Sequence, residues 1–158
     1  RDMWGGGIRT PMIAWWPSKI QPGQVTDHVS AFWDISPTVR ELAGAEPQAD
    51  TDGISMVPVL LGQGEQATHD TLYWEFFERG GKRAILKDKW KLILYKTNTD
   101  LDPRLELFDL SRDMSETKNV ASQHPEVISE LRKLMDSART PAENSQFKLA
   151  AERVQKNK

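Results

Sequence analysis

Four short apolar segments, packed closely between residues 71 and 110, constrain this chain most. They read TLYWEFF, KRAILKD, WKLILYK and RLELFDL, in that order. Only a charged turn at Asp88 and Lys89 separates the second from the third. A parallel crossover needs a dozen or more residues, so connections this short predict an antiparallel meander. In the third segment Trp90, Leu92 and Leu94 recur at the strand period of two and share one face. The segment HPEVISELRKLMDSART then changes period. Val127, Ile128, Leu131, Leu134, Met135 and Ala138 form one stripe at offsets of three and four, with Pro125 at the start and Pro141 just past the end. The expectation is a four-stranded antiparallel sheet packed by one helix.

The first 62 residues read differently. IRTPMIAWW, from Ile8 to Trp16, is nearly continuous in apolar residues after Pro11. That pattern predicts a strand covered on both faces, as in an α/β sheet, with Pro11 at its start. Asp34 is placed to cap a helix running through Val39 and Leu42 to Gly44. MVPVLLG is a short apolar segment that needs a packing partner. The polar stretch from Gly62 to Thr71 lacks periodicity and marks the boundary. The expected organisation is therefore residues 1–62, 63–140 and a tail of 141–158. Phe147, Leu149 and Val154 are too sparse in that tail for more than a marginal helix or disorder.

Composition removes several classes of function. Lys and Arg number 21 against 23 Asp and Glu, a net charge of −2, which argues against nucleic acid as a partner. The chain has no cysteine, which excludes disulfides and thiol chemistry here. No apolar run approaches the roughly 18 residues that would span a membrane. The chain opens on Arg1-Asp2 without a Met and reads as an internal piece of something longer.

Three places could carry chemistry. WGGGIRTP sets three glycines beside Arg9, so backbone N–H groups of Gly6 and Gly7 could form an anion nest with the guanidinium nearby. Glycines in such a row also serve wherever backbone passes close to backbone. Between the first two strand segments, Glu75, Glu78, Arg79, Lys82 and Arg83 surround Gly80-Gly81. Such a tip can contact a polar, anionic or sugar substrate, or can be a solvated turn. The acidic residues of DLSRDMSET lack the alternating ligands of a calcium loop and read as side chains bonding a local turn. His28, His69 and His124 have no spacing that defines a site and read as structural.

Five stretches, in order, resemble one family. GGIRTPMIAWWPSKI is similar to a Gly-Gly-x-Arg-x-Pro strand ending Trp-Pro-Gly-Lys-Ile. DISPTVRELAGA resembles Asp-Leu-x-Pro-Thr-Leu-x-x-Leu-Ala-Gly. DGISMVPVLLG is similar to Asp-Gly-x-Ser-Leu-x-Pro-Leu-Leu-x-Gly. KRAILKDKWKLI resembles a hairpin with Trp-Lys-Leu-Ile, and ELFDLSRDMSETKNVA a turn with Asp-Pro-x-Glu-x-x-Asn-Leu-Ala. Together, over residues 5 to about 135, they resemble the C-terminal part of a formylglycine-dependent sulfatase of the alkaline-phosphatase superfamily.

That resemblance implies an α/β parent of which residues 1–62 would be the end of the large domain. This chain would then be an α+β piece: a strand and a helix from that domain, followed by the four-stranded antiparallel sheet and its helix. For the complete enzyme it implies hydrolysis of sulfate esters of carbohydrates or aryl groups, a formylglycine nucleophile, a calcium ion and a periplasmic or secreted location. It places the nucleophile and a sulfate-binding Lys upstream of Arg1, so no catalytic or metal residue is expected in this chain. Gly5 stands where the family usually carries an acid. Gly6, Gly7 and Arg9 are expected to be structural or supporting, and Glu75, Arg79 and Lys82 to contact substrate. Two other readings are a phosphonate or phosphate monoester hydrolase of the same superfamily and a non-catalytic carbohydrate-binding module. An isolated chain with an unpaired strand at Ile8–Trp16 is expected to form a homodimer through it.

Overall fold

The computed structural model describes residues 2–154. Its helices are α1 (Gly5–Ile8), α2 (Ile35–Leu42), α3 (Val57–Leu61), α4 (Pro125–Ser137) and α5 (Ala150–Val154), and its strands are β1 (Leu72–Phe76), β2 (Lys82–Lys87), β3 (Trp90–Tyr95) and β4 (Leu105–Asp109). Two compact units emerge. One is residues 11–70; the other joins the residues before Pro11 to those after Asp70.

The second unit is the antiparallel meander, in the order β1-β2-β3-β4. Tyr73 lies opposite Ile85, Ile85 opposite Leu92, and Leu92 opposite Leu107. The turn between β2 and β3 is tight, with Asp88 at φ 51°. On one face Ile85, Leu92, Leu94 and Leu107 pack against Leu131 and Met135 of α4. The other face is also covered. Ala84, Ile93, Tyr95 and Phe108 bury against Met3, and the Trp4 ring lies 5.3 Å from that of Phe108. A sheet covered on both faces explains why Ala84–Leu86 of β2 and Leu92–Tyr95 of β3 run as consecutive apolar residues instead of alternating. The outer edge of β4 is closed as well: the Leu107 N–H donates to Asn119 Oδ1 at 3.1 Å and the Val120 N–H to the Leu107 carbonyl at 2.9 Å.

The unit of residues 11–70 is organised by Asp34, which is fully buried. Its side chain does not cap α2. Instead Oδ2 accepts from the Ala31 N–H at 2.7 Å and Oδ1 from the Ile54 N–H at 2.8 Å, and His69 Nε2 sits 2.9 and 3.0 Å from the two oxygens. Thr38 adds a relay, donating to the Asp34 carbonyl at 2.6 Å and accepting from the Met56 N–H at 2.9 Å. The C-terminus of α2 ends as expected. Gly44 N donates to the Glu41 carbonyl and Ala45 N to the Arg40 carbonyl, the pair of bonds that defines a Schellman cap.

Two expectations are corrected. Ile8–Trp16 is not a strand: Ile8 closes α1, and residues 9–16 have no regular secondary structure. A strand exists through hydrogen bonds to a neighbour, and the only sheet among the described residues is β1–β4, whose strands pair with one another. Ile13 and Trp15 are accordingly 93% and 84% exposed. The N-terminal residues, expected to belong with 11–62, instead pack on the sheet, because Met3 and Trp4 cover its second face. In the tail a 3-10 turn at Ser145–Phe147 is followed by the five-residue helix α5.

The apolar residues divide into those that pay in stability and those that do not. Leu131→Ala, in the sheet core, should cost about 2–5 kcal/mol. Val39→Ala, on the exposed side of α2, should change stability by less than about 0.5 kcal/mol. Urea unfolding of the two variants, followed by Trp fluorescence, tests the difference.

Candidate functional site

The glycine stretch forms a single helical turn. The Trp4 carbonyl accepts from Gly7 N at 2.7 Å and Ile8 N at 3.2 Å, and Arg9 N donates to the Gly5 carbonyl at 2.8 Å. A Cβ on Gly7 would stand 2.4 Å from the Asp2 carbonyl oxygen, so glycine is required there by close backbone approach. Of the Gly6 and Gly7 donors that an anion nest would use, Gly7 N–H is already taken by the Trp4 carbonyl. Gly5 N–H donates to Glu116 Oε2 at 2.9 Å, and the other oxygen of Glu116 pairs with Lys91 Nζ at 2.6 Å.

Lys91 and Glu116 are buried, with side chains 4% and 3% exposed. Burial pushes the Lys91 ammonium below its ordinary pKa, and the Glu116 carboxylate opposes that shift. A second lysine on the same sheet face, Lys82, bonds Asp2 Oδ1 at 2.8 Å. Burial works against ionisation of Asp2, but the bonds from Lys82 and the Met3 N–H hold its carboxyl below the ordinary value. Residues 2–5 are thus pinned to the sheet by the Asp2–Lys82 ion pair and by the Gly5 hydrogen bond to the Lys91-paired Glu116. Beside them lies an open depression of about 270 Å3 lined by Trp4, Gly5, Gly6, Arg9, Met114, Ser115 and Glu116. Gly6, Gly7 and Arg9 are exposed at this place.

Glu75, Arg79 and Lys82 are not gathered into one cluster. Glu75 projects on the α4 face of the sheet, where its Oε2 accepts from Tyr73 OH at 2.6 Å and Arg139 Nε at 2.8 Å. Burial and the bond to Glu75 hold the Tyr73 hydroxyl protonated, above the ordinary phenol range. Lys82 is buried on the opposite face with Asp2. Of these three only Arg79 is exposed, in the β1–β2 tip beside Phe77 and Glu78, at φ 55°. Arg83, adjacent in sequence, is buried. It donates to Tyr73 OH, Asp136 Oδ1 and the Met135 carbonyl at 2.9, 2.9 and 2.7 Å, which ties β2 to the end of α4.

The acidic turn behaves as its side chains suggest. Asp109 Oδ1 accepts from the N–H and hydroxyl of Ser111, and Asp113 from Thr117 Oγ1 and the Lys118 N–H. Among the described residues no group of three or more His, Asp or Glu side chains is gathered to hold a metal ion. Two elements of the site had weak sequence signals. Arg139 lies past the helix stripe, and the pairing of Lys91 with Glu116 shows in sequence only as a polar residue at a core-strand position.

The chain belongs to the family described as N-sulphoglucosamine sulphohydrolase, C-terminal, whose model matches residues 1–141. Arylsulfatase A of Bos taurus is 32% identical over 145 residues, covering 79% of this chain and 28% of that protein. A 2-O GAG sulfatase of known structure superimposes with a TM-score of 0.58 at 27% identity, over 66% of this chain and 23% of that one. A protein solved in complex with its substrate D-glucosamine-2-N,6-O-disulfate gives 0.63 at 23% identity, over 78% and 26%. The chain thus spans about a quarter of the length of each.

The Lys91–Glu116 pair gives a stability test. Lys91→Met or Glu116→Gln alone strands a buried partner and should cost about 3–5 kcal/mol. Lys91→Met combined with Glu116→Met removes both charges and should cost clearly less than the sum of the two single changes. Denaturant midpoints of the three variants check this.

Proposed function

We propose that the complete polypeptide carrying this chain hydrolyses sulfate esters of a carbohydrate or an aryl group, and that this chain supplies its C-terminal subdomain. The family match over residues 1–141 carries the reading. The unit of residues 11–70 supports it physically. Ile13, Trp15, Val25 and Phe32 are 84–94% exposed there, and Val39 of α2 is 57% exposed. Apolar surface on that scale calls for a cover, and a larger domain would provide one.

In this reading the nucleophile, its formylglycine form and the calcium ion belong to the rest of the polypeptide. The contribution of this chain is positional. The β1–β2 tip presents Arg79 to an anionic group of the substrate. Glu75 and Lys82, held from opposite faces by Arg139 and Asp2, fix the strands on either side. Gly6, Gly7 and Arg9 shape the turn that leads out of the sheet unit. The compartment is periplasmic or secreted.

Sulfate release from an aryl sulfate and from a sulfated glucosamine decides between the readings. The complete polypeptide should release sulfate from at least one, and this chain alone from neither. Turnover of a phosphonate monoester in place of both would move the enzyme to the neighbouring ester class. Saccharide binding by the chain alone, with no hydrolysis by the complete polypeptide, would make it a carbohydrate-binding module.

The exposed segment around Ile13–Trp16 is also proposed to drive self-association of the isolated chain into a homodimer. Light scattering should give a mass above that of the 18.0 kDa monomer, falling toward it in Ile13→Ser/Trp15→Ser. A clean monomer over a wide concentration range would refute this.

A further inference from the structure

The residues after Thr140 carry a device that neither the family motifs nor the strand pattern announces. Family similarity ends at residue 141, yet the tail beyond it is docked onto one corner of the sheet unit. Arg139 is the anchor, its side chain only 5% exposed. Its Nε donates to Glu75 Oε2 at 2.8 Å, its Nη1 pairs with Glu152, and its Nη2 donates to the Phe147 carbonyl at 3.2 Å. One guanidinium therefore joins β1, the 3-10 turn of the tail and α5. The carboxylates of Glu75 and Glu152 outweigh burial and hold its pKa above the ordinary arginine value.

Two further contacts reach the tip itself. The Phe147 ring lies 4.7 Å from that of Phe77, the first residue after β1. Ala150 N–H donates to the Thr97 carbonyl at 2.9 Å. Thr97 and Asn98 in turn grip the tip: Thr97 N donates to the Gly81 carbonyl at 3.3 Å, and Asn98 N to the Gly80 carbonyl at 2.9 Å.

The tip needs such support. Arg79 is held at φ 55°, Gly80 at 87° and Gly81 at 84°, three successive residues in the left-handed half of conformational space. A Cβ on Gly81 would stand 2.5 Å from Asn98 Cγ, so Gly81 and Asn98 are locked in one arrangement. Glu75 Oε1, Thr97 Oγ1 and Asn98 Oδ1 are the buried polar side-chain atoms of the described residues without a hydrogen-bond partner, and all three belong to this corner. A loop with strained backbone and incomplete polar pairing takes its shape from what is packed against it.

We propose that the tail of residues 144–154 is a specificity-determining strap: it fixes the β1–β2 tip, and through the tip it sets which sulfated saccharides are accepted. The second half of this inference rests on the reading of Arg79 as a substrate contact; the first half does not. The strap acts through the tip, so its residues are positioning residues and not catalytic ones.

Two measurements on the complete polypeptide separate the halves. Three variants are compared with the unaltered protein: truncation after Pro141, Arg139→Met, and Phe147→Ala, which leaves every ion pair in place. Hydrogen exchange at the amides of Gly81, Thr97 and Asn98 should accelerate on the order of tenfold in the first two variants and less in the third, while β3 core amides stay unchanged. Unchanged exchange at those three amides would overturn the strap. Kinetically, KM for a sulfated disaccharide should rise several-fold with kcat nearly constant, and a small aryl sulfate should be unaffected. Faster exchange with an unaltered disaccharide KM would overturn the role in specificity, and with it the substrate contact at the tip, while leaving the strap standing. Proportional loss of kcat on both substrates would show a merely structural role and overturn the specificity claim.

Discussion

A lysine buried near the start of a core strand sets the terms for half of this structure. Lys91 lies in β3 between apolar neighbours, on the face that Ile93 and Phe108 share. Its ammonium cannot be left there without a counter-charge. Glu116 supplies one oxygen to it and gives the other to the N–H of Gly5. The same carboxylate thus neutralises the strand and anchors the glycine turn. Once that turn is fixed, Met3 and Trp4 are laid across the sheet, and Asp2 comes within reach of Lys82. The second core follows from the pairing of one buried charge.

The chain's two units satisfy buried polar groups by similar means. In residues 11–70 the carboxylate of Asp34 gathers the backbone of residues 31 and 54 and the ring of His69, three points with no regular structure of their own to join them. The consequence for α2 is telling. Its buried residue is Thr38, which relays hydrogen bonds, while Val39 and Leu42 face outward. The unit is held together by polar links, and Val39 of α2 remains exposed.

The meander and its helix were legible from the sequence because each rests on local periodicity. The strand segments, the Asp88 turn, the stripe from Val127 to Met135 and the Gly44 cap all appear where their patterns place them. What was not legible is non-local. The residues covering the second sheet face lie far from it in sequence. The apolar run at Ile8–Trp16 has the composition of a buried strand, but composition supplies no hydrogen-bonding partner. Charge density around Gly80-Gly81 suggested a polar cluster, yet strand alternation sends Glu75 and Lys82 to opposite faces. The anchoring role of Arg139 was not legible, because a single arginine beyond the helix stripe makes no pattern.

The pinning of the N-terminal turn also bears on the order in which this chain can fold. Asp2 meets Lys82 across 80 residues of sequence, and Gly5 meets Glu116 across 111. The whole unit of residues 11–70 is looped out between them. Closing such a loop costs conformational entropy before any contact returns it, and topologies rich in distant contacts fold slowly. On a ribosome, the residues that cover the sheet's second face emerge before the sheet they cover. They must wait, with Met3 and Trp4 unpaired, until β4 and the turn carrying Glu116 have emerged.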